Sequence, residues 1–210
     1  MKKIKLYDYQ QEMLENIIKV LTTAATGRFY DENGKRVTVG SSVMVQMPTG
    51  TGKTYVMAAT VKWFLDNHDE GEVWIVAHRR ELVEQMQQTL DRFCLNYGEK
   101  EMELKAKVKI RVLSIQWLNR HIGELETANS IPGFIIVDEA HHAIADSYQK
   151  LFDRNRKALK LGMTATPCRM NKNSFTKLFE RLIVSPCTND FIMRGYLAPY
   201  DYVVIGKFSQ

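Results

Sequence analysis

The chain has 210 residues, 45% of them hydrophobic, which suits one globular domain with a sizeable core, or one domain plus a short extension. No apolar run is long enough to span a bilayer, and the basic start MKKIKLYDYQ lacks the apolar stretch of a signal peptide, so membrane-spanning and secreted readings are set aside. The net charge of +5 permits a polyanionic partner without requiring one, and the three cysteines (Cys94, Cys168 and Cys187) have no metal-ligand spacing and read as free thiols of a reducing cytoplasm.

In chain order, residues 8–21 place Met13, Ile17, Ile18 and Leu21 on one stripe, which predicts a helix with Asp8 as its N-cap. Turn signals crowd residues 22–42, and RFYDENGKRVTV predicts a small hairpin around Glu32-Asn33-Gly34, an insertion over about 27–40. VMVQM at 43–47 reads as a buried strand, and a helix follows over 53–65. The pattern then alternates: strand 72–77, helix 79–95, strand 108–114, helix 115–125, strand 133–139, helix 145–156, strand 158–166. Residues 171–195 read as mostly helical, and 197–208 start another strand. Strands separated by helices predict an α/β domain: a mostly parallel sheet with helices on both faces. The motif loops then fall at the carboxyl ends of strands, where open α/β sheets bind ligands. Trp63 and Trp74, and the Tyr and Phe residues of 191–208, read as packing.

MPTGTGKT at 47–54 follows the first buried strand and opens a helix. Glycines at 50 and 52 let the backbone curl so that successive N–H groups point inward, a cradle for phosphates. Thr49, Gly50, Thr51 and Gly52 line it, Lys53 reaches the β- and γ-phosphates, and the Thr54 hydroxyl ligates Mg²⁺. Met47 stands where the strict pattern has glycine, but that position mainly turns the chain.

DEAH at 138–141 follows the apolar run FIIV. Two carboxylates at the end of a buried strand are costly unless a cation or donors await them. Asp138 is the expected Mg²⁺ carboxylate and Glu139 the group that polarises the attacking water. The tandem His141-His142 invites zinc, but adjacent side chains diverge and no Cys/His partners stand at ligand spacing.

MPTGTGKT, DEAH and TAT at 164–166 resemble motifs I, II and III of superfamily 2 helicases of the DExH type. YQ at 9–10 is similar to the adenine-reading Q element, VAHRRELVEQ at 76–85 to motif Ia, and VLSIQWL at 112–118 to the motif written Ib or Ic. GMTATP at 162–167 and the segment ending in RGYLAPY resemble the helicase (Res) subunit of type I and type III restriction systems. The resemblance covers almost the whole chain. It implies a RecA-like P-loop domain over 1–195 and an exit strand or linker over 196–210, leading to a second RecA-like domain. It also implies ATP and Mg²⁺ as cofactors, and a nucleic acid partner, DNA rather than RNA. Methyltransferase and specificity subunits of a restriction complex are further implied partners. Residue by residue, Gln10 contacts adenine with Tyr7 or Tyr9 nearby. His141 links the nucleotide site to motif III, and Thr164 and Thr166 relay nucleotide state. Arg79, Arg80, Ser114 and Gln116 touch the nucleic acid backbone.

No Q-x-x-G-R-x-x-R run, nuclease motif or methyltransferase motif occurs in the chain. In such motors the arginines that reach the γ-phosphate come from the second domain and are worth a factor of about 10³–10⁵ in turnover. The expectation is therefore the ATP-binding half of a DNA helicase or translocase, nearly inactive alone. The alternatives are a self-contained nucleotide- or nucleic-acid-binding module without turnover, and an RNA helicase fragment. Another P-loop enzyme such as a small-molecule kinase is disfavoured by DEAH followed by TAT.

Overall fold

The structure, a computed structural model, describes residues 5–23, 29–30, 36–37, 39–78, 80–92, 109–140, 146–166 and 178–199. Helix α1 (Asp8–Thr22) buries Met13, Ile17 and Leu21, with Ile18 half-buried beside them. Its cap is Tyr7 rather than Asp8, because the Gln10 carboxamide accepts from the Tyr7 N–H at 3.0 Å and fixes the first turn one residue earlier. Strands β1 (Phe29–Tyr30) and β2 (Arg36–Val37) pair antiparallel, as the hairpin reading expects, and the turn between them lies outside the described residues.

Six strands form the main sheet: β3 (Ser42–Gln46), β4 (Glu72–Ala77), β5 (Ile110–Ser114), β6 (Pro132–Val137), β7 (Leu159–Thr164) and β8 (Arg181–Val184). Their spatial order is β5-β4-β6-β7-β3-β8, and every pairing is parallel. Parallel neighbours need crossovers, and helices between successive strands supply them from β3 to β7: α2 (Lys53–Asn67), α3 (Arg80–Arg92), α4 (Ile115–Thr127) and α5 (Asp146–Arg154); the short α6 (Thr188–Met193) follows β8.

The central strands are apolar at consecutive positions because both faces of the sheet are covered. Successive side chains then divide between two cores. Val43, Val45, Val73 and Ile75 pack with Ile17 of α1, Val61 and Phe64 of α2, Leu90 of α3 and Phe191 of α6. Met44, Trp74, Val76 and Val137 pack on the other face with Leu118 of α4 and with Tyr148, Leu151 and Phe152 of α5. Trp74 is fully buried and Trp63 partly so, as packing residues.

The mostly helical reading of 171–195 is corrected over its described part: 181–184 are a strand, and helix is confined to Leu178 and 188–193. Arg181-Leu-Ile-Val is too short to show a period, and Leu182 and Val184 are exposed at the sheet edge. Backbone pairing with β3, from Val43 opposite Arg181 to Gln46 opposite Val184, makes it a strand. The exit strand expected from 197 onward falls mostly outside the described residues, and 197–199 carry no strand.

Candidate nucleotide and nucleic-acid site

The carboxyl ends of β3, β6 and β7 meet at one edge of the sheet. Strand β7 lies between the other two, so the TAT segment stands between the glycine-rich loop and the DEAH segment. Two backbone bonds lock this edge. The Met47 N–H donates to the Thr164 carbonyl at 2.9 Å, and the Asp138 N–H donates to the Val76 carbonyl at 3.1 Å.

Beyond β3 the chain turns at Pro48, whose carbonyl accepts from the Thr51 hydroxyl at 2.7 Å. Gly50 (φ 83°) and Gly52 (φ 77°) occupy left-handed conformations that a side chain disfavours. Gly52 is also the N-cap of α2, and a Cβ there would stand 2.4 Å from Nε2 of Gln10. The loop is therefore a curl of backbone ending at a helix N-terminus, where N–H groups and the helix dipole favour an anion. Lys53 opens α2, and its ammonium makes a long bond, 3.5 Å, back to the Met47 carbonyl across the loop. Thr54 follows it, half-buried in the first turn.

Gln10 is buried against this loop. Its Nε2 donates to the Thr51 carbonyl at 3.0 Å, and the Tyr9 hydroxyl donates to the same carbonyl at 2.9 Å. The carboxamide expected to read adenine thus braces the glycine loop directly. Tyr7 stacks on Tyr9 with ring centroids 5.9 Å apart and is largely exposed. Tyr196 packs edge-on against both, 4.7 Å from Tyr9 and 5.4 Å from Tyr7. Leu197 reaches the loop as well, its Cδ2 3.0 Å from where a Cβ on Gly50 would sit. Sequence reading missed this approach of 196–197 to the glycine loop, because nothing in the spacing of RGYLAPY ties it to a segment so distant in the chain.

Asp138 and Glu139 leave the end of β6. Glu139 takes φ 50°, one of two described non-glycine residues with positive φ, and its N–H donates to Asp138 Oδ1 at 3.0 Å. Such backbone strain concentrates at functional sites. Burial pushes the Asp138 carboxyl above its usual range and the Glu139 carboxylate adds to this; the Glu139 N–H and the Lys53 ammonium oppose it only in part. A buried carboxylate left short of positive charge, facing the lysine of the glycine loop, fits a divalent cation. Among the described residues no group of three or more His, Cys, Asp or Glu could hold a metal ion, so a cation here would draw the rest of its ligands from elsewhere.

Thr164 is fully buried. Its hydroxyl accepts from the Thr166 N–H at 3.2 Å, closing a turn that leaves Thr166 exposed. His141 and Arg79 lie outside the described residues, and of Arg80 only its place at the start of α3 is described. Ser114 is the N-cap of α4, accepting from the Trp117 N–H at 3.2 Å. Gln116 Nε2 donates to the His78 carbonyl at 2.9 Å, tying the end of β5 to the end of β4. Trp117, 41% exposed, stacks on His121 at 4.4 Å. The structure thus gathers Gln10, the glycine loop, Asp138, Glu139 and Thr164 at one place, and Arg80, Ser114 and Gln116 farther along the same edge.

A parallel sheet covered on both faces, with a lysine-bearing glycine loop and an acidic pair at its carboxyl edge, defines the RecA-like class of nucleotide-binding domain. The family described as "Type III restriction enzyme, res subunit" matches residues 3–169, and the chain belongs to it, as a first motor domain of the superfamily 2 helicase type. A 51.5 kDa protein of a Lactococcus phage is 30% identical over 159 residues, covering 76% of this chain and 32% of that protein. A nuclease-deletion mutant of the type ISP restriction-modification enzyme LlaGI, solved with a DNA substrate mimic, superposes with a TM-score of 0.64 at 17% identity, over 91% of this chain and 21% of that one. The UvsW helicase of bacteriophage T4 has a TM-score of 0.54 at 17% identity, over 81% of this chain and 67% of that one. The chain spans 21–32% of the length of the curated relatives it matches. Among the described residues no helix is long and apolar enough to cross a membrane.

Proposed function

We propose that this chain binds and orients Mg-ATP as the first half of a helicase or translocase motor that moves on DNA. The observation that carries the reading is the glycine loop: two left-handed glycines open α2, with Lys53 at its first turn and Asp138 across from it. In this reading Thr49 to Gly52 hold the phosphates through backbone N–H groups, and Lys53 leaves the Met47 carbonyl for the β- and γ-oxygens. Tyr7 and Gln10 bound the adenine end. Thr54 and Asp138 would hold Mg²⁺, which when bound neutralises charge on the transferring phosphate. Glu139, displaced from the buried strand by its left-handed turn, orients the attacking water. Thr164, bonded through its carbonyl to the strand of the glycine loop, passes the nucleotide state along β7 to Thr166, with His141 bridging from the acidic segment.

Arg79, Arg80, Ser114 and Gln116 then form the track for nucleic acid backbone. DNA as the polymer, cytoplasmic location, a second RecA-like domain supplying arginines, and association with methyltransferase and specificity subunits as a Res-type subunit all follow the family. They are supported by the restriction enzymes among the relatives, one of them bound to a DNA mimic. Calorimetry with Mg-ADP tests the core of the reading. The wild-type chain is expected to bind and Lys53→Ala to lose measurable binding; equal affinity in the two would place the nucleotide elsewhere.

A further inference from the structure

One buried polar group near the acidic pair has no part in that scheme. Tyr148 lies on the first turn of α5, 1% exposed, and packs in the same core as Val137 and Ala140, the residues on either side of Asp138-Glu139. Its hydroxyl is buried and has no hydrogen-bond partner among the described residues. Buried hydroxyls are nearly always bonded, because an orphaned one forfeits its solvation for nothing. A phenylalanine would fill the same space without that cost. The hydroxyl nevertheless feels the Asp138 carboxylate: burial and that carboxylate together push its pKa up to about 12, so it stays an O–H donor at any working pH. In the present arrangement Asp138 Oδ1 is engaged by the Glu139 N–H, leaving the carboxylate acceptor capacity beyond that one bond.

We propose that Tyr148 is a positioning residue of the acidic site, its hydroxyl donating to the Asp138 carboxylate when that group holds the divalent cation. The inference rests on the reading of Asp138 as the Mg²⁺ carboxylate and adds the group that orients it. Groups that hydrogen-bond a metal-ligating carboxylate fix its direction, and losing one costs metal affinity about 10–100-fold. Tyr148 also carries the first turn of α5, so the helix that follows the DEAH segment is coupled to occupancy of the site.

The test is Tyr148→Phe in the whole chain, read by calorimetry of ADP over a Mg²⁺ series and in EDTA, with thermal melts of the metal-free protein. The expected result has two parts. The Mg²⁺ concentration for half-maximal tightening of ADP rises about tenfold or more, while the melting temperature holds or rises because an unbonded buried hydroxyl is gone. Phe152→Leu, in the same core on the same helix, is the packing control and is expected to lower the melting temperature without moving the Mg²⁺ dependence. An unchanged Mg²⁺ dependence in Tyr148→Phe would overturn the proposal, as would a loss of ADP affinity in EDTA equal to that in Mg²⁺. A wild-type chain that binds ADP equally with and without Mg²⁺ would overturn the assignment of Asp138 itself, and this inference with it.

Discussion

Asp138 shows in one side chain what burying a carboxylate at this edge of the sheet costs. Its carboxyl is raised above the usual range first by burial and then by Glu139. The ionised carboxylate carries a desolvation cost in the folded chain that it does not carry in the unfolded one. Asp138→Asn keeps the oxygen that accepts from the Glu139 N–H and removes the charge. The metal-free variant is expected to be more stable than wild type at pH 7–8 by roughly 0.5–2 kcal/mol, while Mg²⁺ no longer tightens ADP. The sign follows from linkage. As pH falls through the raised folded pKa, the folded wild type takes up a proton before the unfolded chain does and recovers the lost stability. The gap between variant and wild type should therefore close toward the ordinary carboxylate range. Thermal melts of both proteins across that range check it; a variant less stable than wild type at neutral pH would show that the negative charge has partners that satisfy it.

Among the elements, the opposite end of the sheet is held by a cluster that no motif marks. Glu72, at the start of β4, accepts from Trp74 Nε1 at 2.8 Å, from Arg111 of β5 at 2.7 and 3.2 Å, and from the Ser130 hydroxyl ahead of β6. Burial raises its carboxyl, but the bonds from Arg111, Ser130 and Trp74 outweigh this and hold it below the usual range. Glu72→Gln exchanges one acceptor oxygen for an NH₂ group, stranding the Arg111 Nη2 donor if the exchange falls at Oε1 and three donors if it falls at Oε2, and is expected to cost about 1–3 kcal/mol by denaturant melts. It should leave Mg-ADP affinity unchanged, since the glycine loop lies at the other end of the strands. A lowered pKa means that this stability is present above the ordinary glutamate value and is lost only as pH falls through the folded one. The advantage of wild type over the variant should hold at neutral pH and fade in acid. Glu72 was invisible in the sequence because its partners lie 39 and 58 residues away in separate segments. The same locality explains what was legible. The glycine loop, the acidic pair and the five strands from β3 to β7 are contiguous signals, each written within about ten residues of chain and set by backbone conformation or continuous burial. Strand β8 was not legible, because its identity comes from pairing with β3 rather than from its own four side chains. Neither was the seat of Tyr196 and Leu197 against Tyr9 and the glycine loop, which joins segments separated by most of the chain.

At the scale of the whole molecule, the parallel order puts the carboxyl ends of the strands on one edge, with the glycine loop, the TAT segment and the acidic pair at the β3-β7-β6 side and the ends of β4 and β5 beyond them. The bond from Gln116 to the His78 carbonyl joins those two ends into one surface. Helix α3 begins there at Arg80, so a helix N-terminus stands at this end of the edge, where its dipole and free N–H groups suit phosphate. The net charge of +5 adds long-range attraction but does not select a strand. Groups of this kind read phosphate and not bases, so binding of single-stranded DNA should be weak, indifferent to sequence and steep in salt. Replacing Arg79 and Arg80 by alanine is expected to weaken all sequences about equally. It should also flatten the log–log dependence of affinity on salt by roughly one unit for each phosphate no longer neutralised. Fluorescence anisotropy titrations at several salt concentrations, with two unrelated oligonucleotides, measure both quantities. A double variant that binds like wild type at every salt concentration would make the two arginines a solvated helix start, and would move the nucleic-acid track away from the β4-β5 end of this edge.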